Sequence, residues 1–342
     1  MSRVLIVHRV GPGVSVQDMG RVGYLAYGLS CGGAADRLAL AEGAALLGQD
    51  MGLATLEMAG MGGDFEAGED MRIALTGAPM RASIDGVRCA WNASHLLPKG
   101  AKLSIGAALT GVYGYLHLGG GVDTAARLGA RSAHLAAGLG AVVQAGDRLA
   151  VGADARASVF GMGLPEDNRF DGGTLRLVPS LQTSFFAASE IERFQSTSFR
   201  RDTRGNRMGV RLLPEGEGFS SDAGLSVISE VIVPGDVQVT GDGTPFVLLA
   251  ECQTTGGYPR IGSVLPCDLP RIAQARPGGE LRFKFVTLQE AVELERREGE
   301  RRKGLRAAVH PLIRNPHDIA DLLSYQLISG VTAGDDLERG ET

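Results

Sequence analysis

The sequence predicts a mainly β fold made of two β units with a few helices. Short apolar runs follow turn signals such as Gly68-Glu69, Gly146-Asp147 and Gly235-Asp236. Many short strands with regular turns are typical of antiparallel sandwiches and barrels. Regular strand–helix alternation, which would indicate a doubly wound fold, does not occur. We expect strands at residues 72–76, 112–116, 175–178, 237–239, 246–250 and 281–285.

An internal repeat supports the division into two units. Four short motifs of the first half, from Leu56-Glu57 to Pro98-Lys99-Gly100, recur 172 to 179 residues later. Such a repeat indicates related structural units, although low-complexity turns can mimic it. We therefore predict β units at residues 1–165 and 166–300, a linker at 161–173, and a helical extension with a frayed tail at 301–342.

Three segments have helical patterns. Residues 34–47 carry an apolar stripe, with Asp36 in the first turn, where the helix dipole stabilises a carboxylate. Residues 287–302 open with a Thr-x-x-Glu capping box and are heavily charged. Residues 316–327 follow an Asn-Pro pair and have an apolar stripe of their own.

Composition excludes several classes of protein. The net charge of −5 gives no general attraction for nucleic acid, and no run of 18 apolar residues predicts a membrane span. The first apolar stretch is not followed by a cleavage site, so we interpret it as a strand. Four scattered cysteines indicate reduced thiols and a cytoplasmic protein. The six histidines are dispersed along the chain, so we expect neither a zinc site built by the protein nor another metal site.

Nucleotide and biotin motifs are also missing. The chain has four lysines, and none follows the Gly-x-x-x-x-Gly pattern of a Walker A loop. None lies in the Met-Lys-Met turn that carries covalent biotin. Gly-x-Ser-x-Gly is absent, which argues against an ordinary serine hydrolase. Use of ATP or biotin would need another geometry or a partner chain.

The stretch from Glu251 to Pro259 is the strongest candidate for a ligand site. An apolar run ends abruptly at Gln253, Thr254 and Thr255, followed by two glycines and a Tyr-Pro pair. Polar side chains on a flexible backbone at the end of a rigid element commonly form polar ligand sites, and these suit an amide or lactam. The alternative is a strand that simply enters a loop. Cys252 could be a nucleophile, but a buried structural thiol is preferred.

Three arginines lie in small-residue turns and are candidates for holding an anion. For Arg21 the alternative is a pair with Asp18 that pins the loop. Arg131 could instead bridge to Asp123, and Asp36 could be only a helix cap. Arg207 lies in a glycine-flanked turn and is a candidate for a second anion holder. None of the histidines at positions 95, 117 and 134 has a recognisable acid or base partner in the sequence.

The order of these segments along the chain resembles that of the KipA-like family. This family includes the C subunit of 5-oxoprolinase and the matching part of the carboxyltransferase domain of urea carboxylase. The resemblance covers about residues 8–290. It implies tandem cyclophilin-like β-barrels and a complex with the two other 5-oxoprolinase subunits, the KipI-like B and the A. The motifs that carry it are Gly-Pro-x3-Val-Gln-Asp-x-Gly-Arg-x-Gly-Tyr, Gly-x-x-Asp, Leu-Glu-x4-Gly, Leu-Thr-Gly-Ala, Gly-Gly-x-Asp, Leu-Gly-x-Arg-Ser, Arg-Met-Gly-x-Arg-Leu and Gln-Thr-Thr-Gly-Gly-Tyr-Pro.

The resemblance implies one component of an ATP-dependent hydrolase, active within the complex, that converts 5-oxo-L-proline, ATP and water to L-glutamate, ADP and phosphate. A lactam is a poor electrophile, and phosphorylation of its oxygen creates a leaving group, so the site must offset phosphate charge. ATP and Mg2+ are the expected cofactors, bound by this chain or only with the partner, without covalent biotin on this chain. The candidate residues carried over by motif are Gln17, Asp18, Arg21, Asp36, Glu57, Arg131, Arg207, Gln253, Thr254, Thr255 and Tyr258.

Side-chain chemistry suggests roles for these residues. Arg21, Arg131 and Arg207 would hold the anion, and Gln253 and Thr254 would orient the amide. Asp36 or Asp18 would serve proton transfer or magnesium. These assignments are hypotheses drawn from residue type, with positions supplied by the resemblance.

Two rival functions remain open. One is a carboxyltransferase component that acts on a urea-like amide with carboxybiotin from a separate carrier, and the other is a regulatory protein that sequesters a KipI-like partner. The chain departs from the family pattern at Cys31-Gly32-Gly33-Ala34-Ala35-Asp36, where Ser-Gly-Ala-Met-Asp is more common. Such departures leave the substrate less defined than the fold.

Overall fold

The computed structural model describes residues 3–313 and has the mainly β architecture that the sequence predicts. All six predicted strand segments are confirmed as strands. The strands are β1 (Val4–Val10), β2 (Ser15–Gln17), β3 (Thr55–Ala59), β4 (Gly63–Ala67), β5 (Met71–Gly77), β6 (Met80–Ile84), β7 (Val87–Arg88), β8 (Ala93–Leu97), β9 (Lys102–Ala108), β10 (Tyr113–Leu118), β11 (Arg148–Ala150), β12 (Met162–Gly163), β13 (Gly173–Val178), β14 (Phe199–Arg201), β15 (Gly209–Pro214), β16 (Glu230–Val231), β17 (Asp236–Val239), β18 (Pro245–Leu248), β19 (Thr255–Gly256), β20 (Arg260–Val264), β21 (Glu280–Phe285) and β22 (His310–Pro311). The α-helices are α1 (Arg37–Leu47), α2 (Ala188–Ser196), α3 (Leu269–Gln274) and α4 (Leu288–Ala308).

The first half of the chain folds into two sheets around one apolar core. The strand order is β11-β1-β4-β9-β6-β7 in one sheet and β2-β3-β10-β5-β8-β12-β22 in the other. Strand β5 is buried along its whole length, as expected for a central strand that is covered on both faces. The core includes Leu5, Phe65, Ile73, Leu103 and Leu116, each without exposed surface.

The second half forms a closed barrel in the order β13-β20-β17-β18-β15-β14-β21. The barrel closes through a parallel pair, β13 with β21, in a register that joins Gly173 to Leu281 and Leu177 to Phe285. Closure leaves no free strand edge in this sheet. The short ribbon of β16 and β19 lies outside the barrel and carries the Thr255-Gly256 segment.

Helix α1 begins later than the sequence predicts, because Asp36 is its N-cap. The Asp36 carboxylate accepts hydrogen bonds from the amides of Leu38 and Ala39, and Gly32 and Gly33 before it have positive φ angles of 62° and 81°. A left-handed backbone cannot continue a helix. Glycine is favoured at both positions, because no Cβ opposes this conformation.

Helix α4 confirms the predicted capping box and extends six residues beyond the predicted end at 302. The Thr287 hydroxyl accepts from the Glu290 amide, and the Glu290 carboxylate accepts from the Thr287 amide. Helix α4 packs on α1 and on the short turn that precedes α3. The helix predicted at 316–327 lies outside the described residues. No helix within residues 3–313 is long and apolar enough to cross a membrane.

The segment at 161–173, which the sequence predicts as a linker, takes part in a sheet and in the buried interior. Strand β12 pairs with β8 and with β22, so the chain after α4 returns to a sheet of the first half. Arg169, in the same segment, is only 3% exposed. The domain limits at 165 and 300 stay a prediction.

Phe194 is the buried residue of helix α2, and its side chain packs the helix against the barrel. Its ring lies 5.1, 5.3 and 4.7 Å from the rings of Phe199, Phe219 and Phe283. We predict that Phe194→Ala lowers the free energy of unfolding by about 3–5 kcal/mol, since it removes a buried aromatic ring and leaves a cavity. Chemical denaturation measures this change. Leu181→Ala, at a site that is 89% exposed, should change stability little; equal losses in both variants would contradict the assignment.

Candidate functional site

The two halves share a boundary, which we call the seam, where apolar and polar groups from both meet. Tyr113 and Tyr115 from the first half belong to the same apolar cluster as the barrel residues Val210, Leu249 and Ile261. Backbone hydrogen bonds cross the boundary, for example from the Gly32 amide to the Ala250 carbonyl at 3.0 Å. The loop at 30–36 therefore lies directly against the end of the barrel strand that leads to Glu251.

Asp36 lies in a buried ionic network at one end of the seam. Its second carboxylate oxygen accepts from Arg169 Nε at 2.7 Å and from Gln274 Nε2 at 2.8 Å. Arg169 also makes a two-pronged pair with the Glu42 carboxylate, at 2.9 and 2.7 Å. Burial raises the pKa of Glu42, and the Arg169 charge opposes this shift. Asp36 thus has no free lone pair for substrate and acts here as a cap and an ion-pair partner.

Arg207 occupies the other end of the seam between two carboxylates. It donates to Glu57, to the Gly33 carbonyl and, from Nε, to Glu251 at 2.7 Å. Burial alone lowers the pKa of Arg207, but the charges of Glu57 and Glu251 outweigh it and raise the pKa. Glu57 also accepts from the Tyr115 hydroxyl at 2.7 Å. Arg207 and Glu57 therefore join the halves, which explains their burial without a ligand.

Gln17, Asp18 and Arg21 meet the segment at 127–133. Asp18 accepts from the amides of Gly20, Arg131 and Ser132, and it makes no ion pair with Arg21. Arg21 is 2% exposed and donates to the carbonyls of Arg127 and Ser132 and to the Ser132 hydroxyl. Among residues 3–313, no carboxylate oxygen lies within 4.0 Å of its guanidinium. Arg21 is thus a buried cation held by neutral oxygens.

Two other predicted residues in this region differ in character. Arg131 pairs with Asp123 at 2.7 Å, and both side chains are at least one-third exposed, which is the alternative that the sequence left open. Gln17 is fully buried; its amide nitrogen donates to Ser15, while its oxygen has no hydrogen-bond partner among the described residues. The Arg131 amide donates to Asp18, and the Gln17 side chain donates to the Ala133 carbonyl. Both residues therefore belong to the same hydrogen-bonded region as Arg21.

A cavity of about 250 Å³ opens beside Arg21. Three arginines and one aspartate line it, and one of these arginines, Arg131, is paired with Asp123. The charged and hydroxyl-bearing lining residues are Arg21, Arg127, Arg131, Asp147, Thr124 and Ser132.

The predicted amide-binding loop is on the surface. Gln253, Thr255 and Tyr258 are exposed, and Thr254 is half-buried. The Thr254 carbonyl accepts from Ile232, and Thr255 pairs with Val231 in the β16–β19 ribbon. The loop follows Glu251 directly, so it adjoins the seam, but none of these side chains makes a hydrogen bond to the buried groups there. Their role in binding stays a prediction.

His134 is the functional candidate that sequence reasoning missed. Its Nε2 atom lies 2.9 Å from Ser30 Oγ, and its Nδ1 atom is buried without a hydrogen-bond partner among the described residues. Burial lowers the pKa of His134, the Glu251 charge partly opposes this, and the charges of Arg21 and Arg207 lower it further. The two residues are 104 positions apart, so no local motif could have paired them.

The other histidines and Cys252 have structural surroundings. Burial lowers the pKa of His117 to about 3, and its Nε2 atom lies 2.8 Å from the Thr76 hydroxyl. His95 contacts the Ala90 carbonyl. Cys252 is 3% exposed, and burial raises the pKa of its thiol to about 12. This agrees with the preferred interpretation of Cys252 as a structural residue.

The carboxylates suggested for magnesium are already engaged within this chain. Within residues 3–313 no group of three or more His, Cys, Asp or Glu side chains could hold a metal ion. The two carboxylates suggested for magnesium, Asp18 and Asp36, are fully engaged by backbone amides and by Arg169 and Gln274.

This combination of fold and seam is that of a carboxyltransferase-domain protein. The family model for the carboxyltransferase domain, subdomains A and B, matches residues 27–285, and the chain belongs to this family. It is 32% identical to the 5-oxoprolinase C subunit of Haemophilus influenzae over 291 residues, covering 83% of this chain and 91% of that protein. It is also 32% identical to the 5-oxoprolinase C subunit of Escherichia coli over 295 residues, covering 85% of this chain and 94% of that one.

Solved structures agree on the fold. The crystal structure of TTHA0988 has a TM-score of 0.75 and 33% identity, covering 83% of this chain. The chain spans only 56% of the length of TTHA0988. The Kluyveromyces lactis urea carboxylase has a TM-score of 0.77 at 22% identity, covering 92% of this chain and 31% of that one. That likeness concerns the fold alone.

Arg169 provides a test of the seam. We predict that Arg169→Ala lowers the free energy of unfolding by about 3–5 kcal/mol, because it leaves two buried carboxylates unpaired. The matched variant Glu42→Gln should have a clearly smaller effect, since Arg169 keeps its ion pair with Asp36. Denaturant titration at neutral pH measures both. A loss for Glu42→Gln equal to that for Arg169→Ala would contradict this account.

Proposed function

We propose that this chain is the C subunit of an ATP-dependent 5-oxoprolinase, which opens the lactam of 5-oxo-L-proline together with a KipI-like B subunit plus an A subunit. The proposal is supported by the near full-length similarity to two 5-oxoprolinase C subunits. ATP and Mg2+ would be held mainly by the other two proteins of the complex, since the carboxylates of the seam are engaged within this chain.

Arg21 is the observation that carries the proposal within the structure. A buried charge normally has a partner of opposite sign, yet the Arg21 guanidinium donates to carbonyl and hydroxyl oxygens alone within residues 3–313. The guanidinium also lines a cavity that has two further arginines. Such a cavity suits a small anionic group, either the carboxylate of 5-oxoproline or a transferred phosphoryl group.

A carboxyltransferase is the second candidate, and the family match to a carboxyltransferase domain favours it. In that case the cavity would hold the carboxyl group in transit, and a separate carrier would bring carboxybiotin. The two candidates make the same use of Arg21 but differ in the co-substrate, so an assay with each co-substrate separates them.

The test of function uses the complex reconstituted from this chain, the KipI-like protein and the A protein. We predict 5-oxoproline-dependent release of ADP, and about a 100-fold loss of turnover for Arg21→Met, which keeps volume but removes the charge. Arg282→Met is the matched control, because Arg282 is exposed and its ion pair in the described part of the chain is with Glu280. Carboxybiotin turnover without ADP release would favour the second candidate. A tight complex with neither activity would favour a regulatory role.

The rim of the cavity is suited to a protein partner, and we propose that the KipI-like protein covers it. The loop from Arg21 to Ser30 exposes Val22 and Tyr27, which are 86% and 84% accessible. Leu128 and Leu135 are exposed on the neighbouring segments. Apolar side chains gathered around a polar site mark interaction surfaces. In TTHA0988 the same fold belongs to a longer chain, consistent with a further domain beside it.

The double variant Val22→Glu and Tyr27→Glu tests this interface. We predict that binding of the KipI-like protein weakens about tenfold or more, since single aromatic anchors commonly contribute over 1 kcal/mol, or roughly a factor of five. Titration calorimetry measures the affinity. Val87→Glu, at a 73% exposed position on the edge strand β7, is the matched control. Unchanged binding in the double variant would place the KipI-like protein elsewhere.

A further inference from the structure

A trough of about 630 Å³ lies on the outer face of the first-half sheet that contains β1, β4, β9, β6 and β7. It shares no lining residue with the cavity beside Arg21. The trough is therefore a separate feature, to which the proposed function assigns nothing. Its cationic, hydroxyl-bearing and smallest lining residues are Arg9, Arg81, Arg88, Ser83, Ser104 and Gly106.

The pairing register of the strands explains the shape of the trough. Ser104 of β9 is paired with Asp64 of β4 on one side and with Ser83 of β6 on the other. Farther out, Ser83 is paired with Arg88 of β7, and Asp64 is paired with Arg9 of β1. Paired residues point to the same face of a sheet. A row therefore runs across five strands, with short side chains in the middle and an arginine at each end.

Gly106 and Arg81 continue this cross-section along the strands. A Cβ built on Gly106 would lie 3.7 Å from Arg81 Cβ, so the two residues are neighbours on this face. The register shifts between Met80 and Ala82, which places Arg81 at an irregularity of the ladder. Bulges of this kind redirect side chains and are common beside binding sites. The floor of the trough is thus serine and glycine, and its walls are arginine.

The trough has an excess of positive charge. Arg9 is paired with Asp64 at 2.7 Å, so its charge is matched. For Arg81 and Arg88, both exposed, no carboxylate oxygen of residues 3–313 lies within 4.0 Å of the guanidinium. Among the described residues that line the trough, none carries a carboxylate, an imidazole or a thiol. The trough is therefore suited to binding an anion and not to acid–base or nucleophilic chemistry.

We propose that this trough binds an oligophosphate, a ligand with two or more linked phosphoryl groups. A guanidinium binds phosphate oxygens through two parallel hydrogen bonds, and arginines on both sides of a hydroxyl-bearing floor match a ligand that carries several negative charges. The trough has more than twice the volume of the cavity beside Arg21, which is about 250 Å³. It lies within the range of about 300–1,000 Å³ that ligand sites commonly have.

An acidic segment of a protein partner fits this trough less well. Specific protein interfaces have a well-packed apolar centre and a polar rim, whereas the middle of the trough is formed by Ser83, Ser104 and Gly106. The linked phosphoryl groups could belong to a nucleotide or to inorganic polyphosphate. Both ligands present the same chemistry to the arginines, and their affinities separate them.

The first test is titration calorimetry of the full chain with tripolyphosphate, without divalent cations and at low ionic strength, where charge interactions are least screened. We expect the double variant Arg81→Met and Arg88→Met to bind at least about tenfold more weakly, since charge-assisted hydrogen bonds to phosphate are lost. The charge-matched control is Arg276→Met with Arg282→Met, two exposed arginines outside the trough, and it should bind as wild type does. Equal affinity in both double variants would overturn the assignment.

Gly106 offers a second test that leaves every arginine in place. A Cβ at this position would make ordinary contacts, at 3.6 Å from the Arg81 carbonyl oxygen and 3.7 Å from Arg81 Cβ, so the fold should accept a side chain there. Gly106→Glu adds a carboxylate to the floor and should lower the affinity about 100-fold, whereas Gly106→Ser should keep it within about twofold. Thermal unfolding checks that both variants are folded. Wild-type affinity in Gly106→Glu would place the ligand elsewhere.

A comparison of ligands identifies the source of the phosphoryl groups. We expect ATP and tripolyphosphate to bind at least about tenfold more tightly than AMP or inorganic phosphate, which have one phosphoryl group each. Tighter binding of ATP than of tripolyphosphate would assign the site to nucleotides, and equal binding would assign it to the linked phosphates alone. If neither binds, or if citrate binds equally well, the trough is not an oligophosphate site. These measurements involve no turnover of 5-oxoproline, so their outcome is independent of the proposed function.

Discussion

The arrangement of this molecule depends on buried guanidiniums that pair with carboxylates across the seam. Arg169 contacts Asp36 and Glu42, and Arg207 contacts Glu57 and Glu251. Removing one partner of such a pair leaves a buried, unpaired charge, which is strongly destabilising. Separation of the barrel from the sheets of the first half would therefore break the Arg207–Glu57 pair and the hydrogen bond from Gln274 to Asp36. The seam holds the loop at 30–36 in a fixed position against the barrel, and a site on that loop is rigid for the same reason.

The same network determines which polar groups are left free to contact a ligand. Asp36 has the appearance of a catalytic acid in the sequence, but its four contacts engage both oxygens. Glu57 and Arg207 satisfy each other. Arg21 and His134, by contrast, keep an unmatched charge and an unmatched ring nitrogen among the described residues. Residues that the fold has fully satisfied are structural, and those that it has left unsatisfied are the ones on which a function can rest.

Local chemistry made much of the fold predictable. The capping box at Thr287 and Glu290 uses groups three residues apart, so the sequence contains all of its parts. The strands were predictable because β propensity and turns are local as well. Arg169 was missed because its glycine- and proline-flanked segment resembles a linker, and its partners lie 127 and 133 positions away. His134 was set aside because its partner Ser30 is equally remote in sequence. Long-range pairing is the information that a single sequence lacks.

The seam and the cavity carry opposite excess charge. The seam has four buried carboxylates for two guanidiniums, and amide and hydroxyl donors supply the remaining hydrogen bonds, as Tyr115 does for Glu57. Burial raises the pKa of Tyr115, which keeps it protonated as a donor. The cavity has the opposite balance, because Arg21 and Arg127 face one aspartate, Asp147, and the third arginine, Arg131, is paired with Asp123. An anion is therefore repelled from the seam and attracted to Arg21.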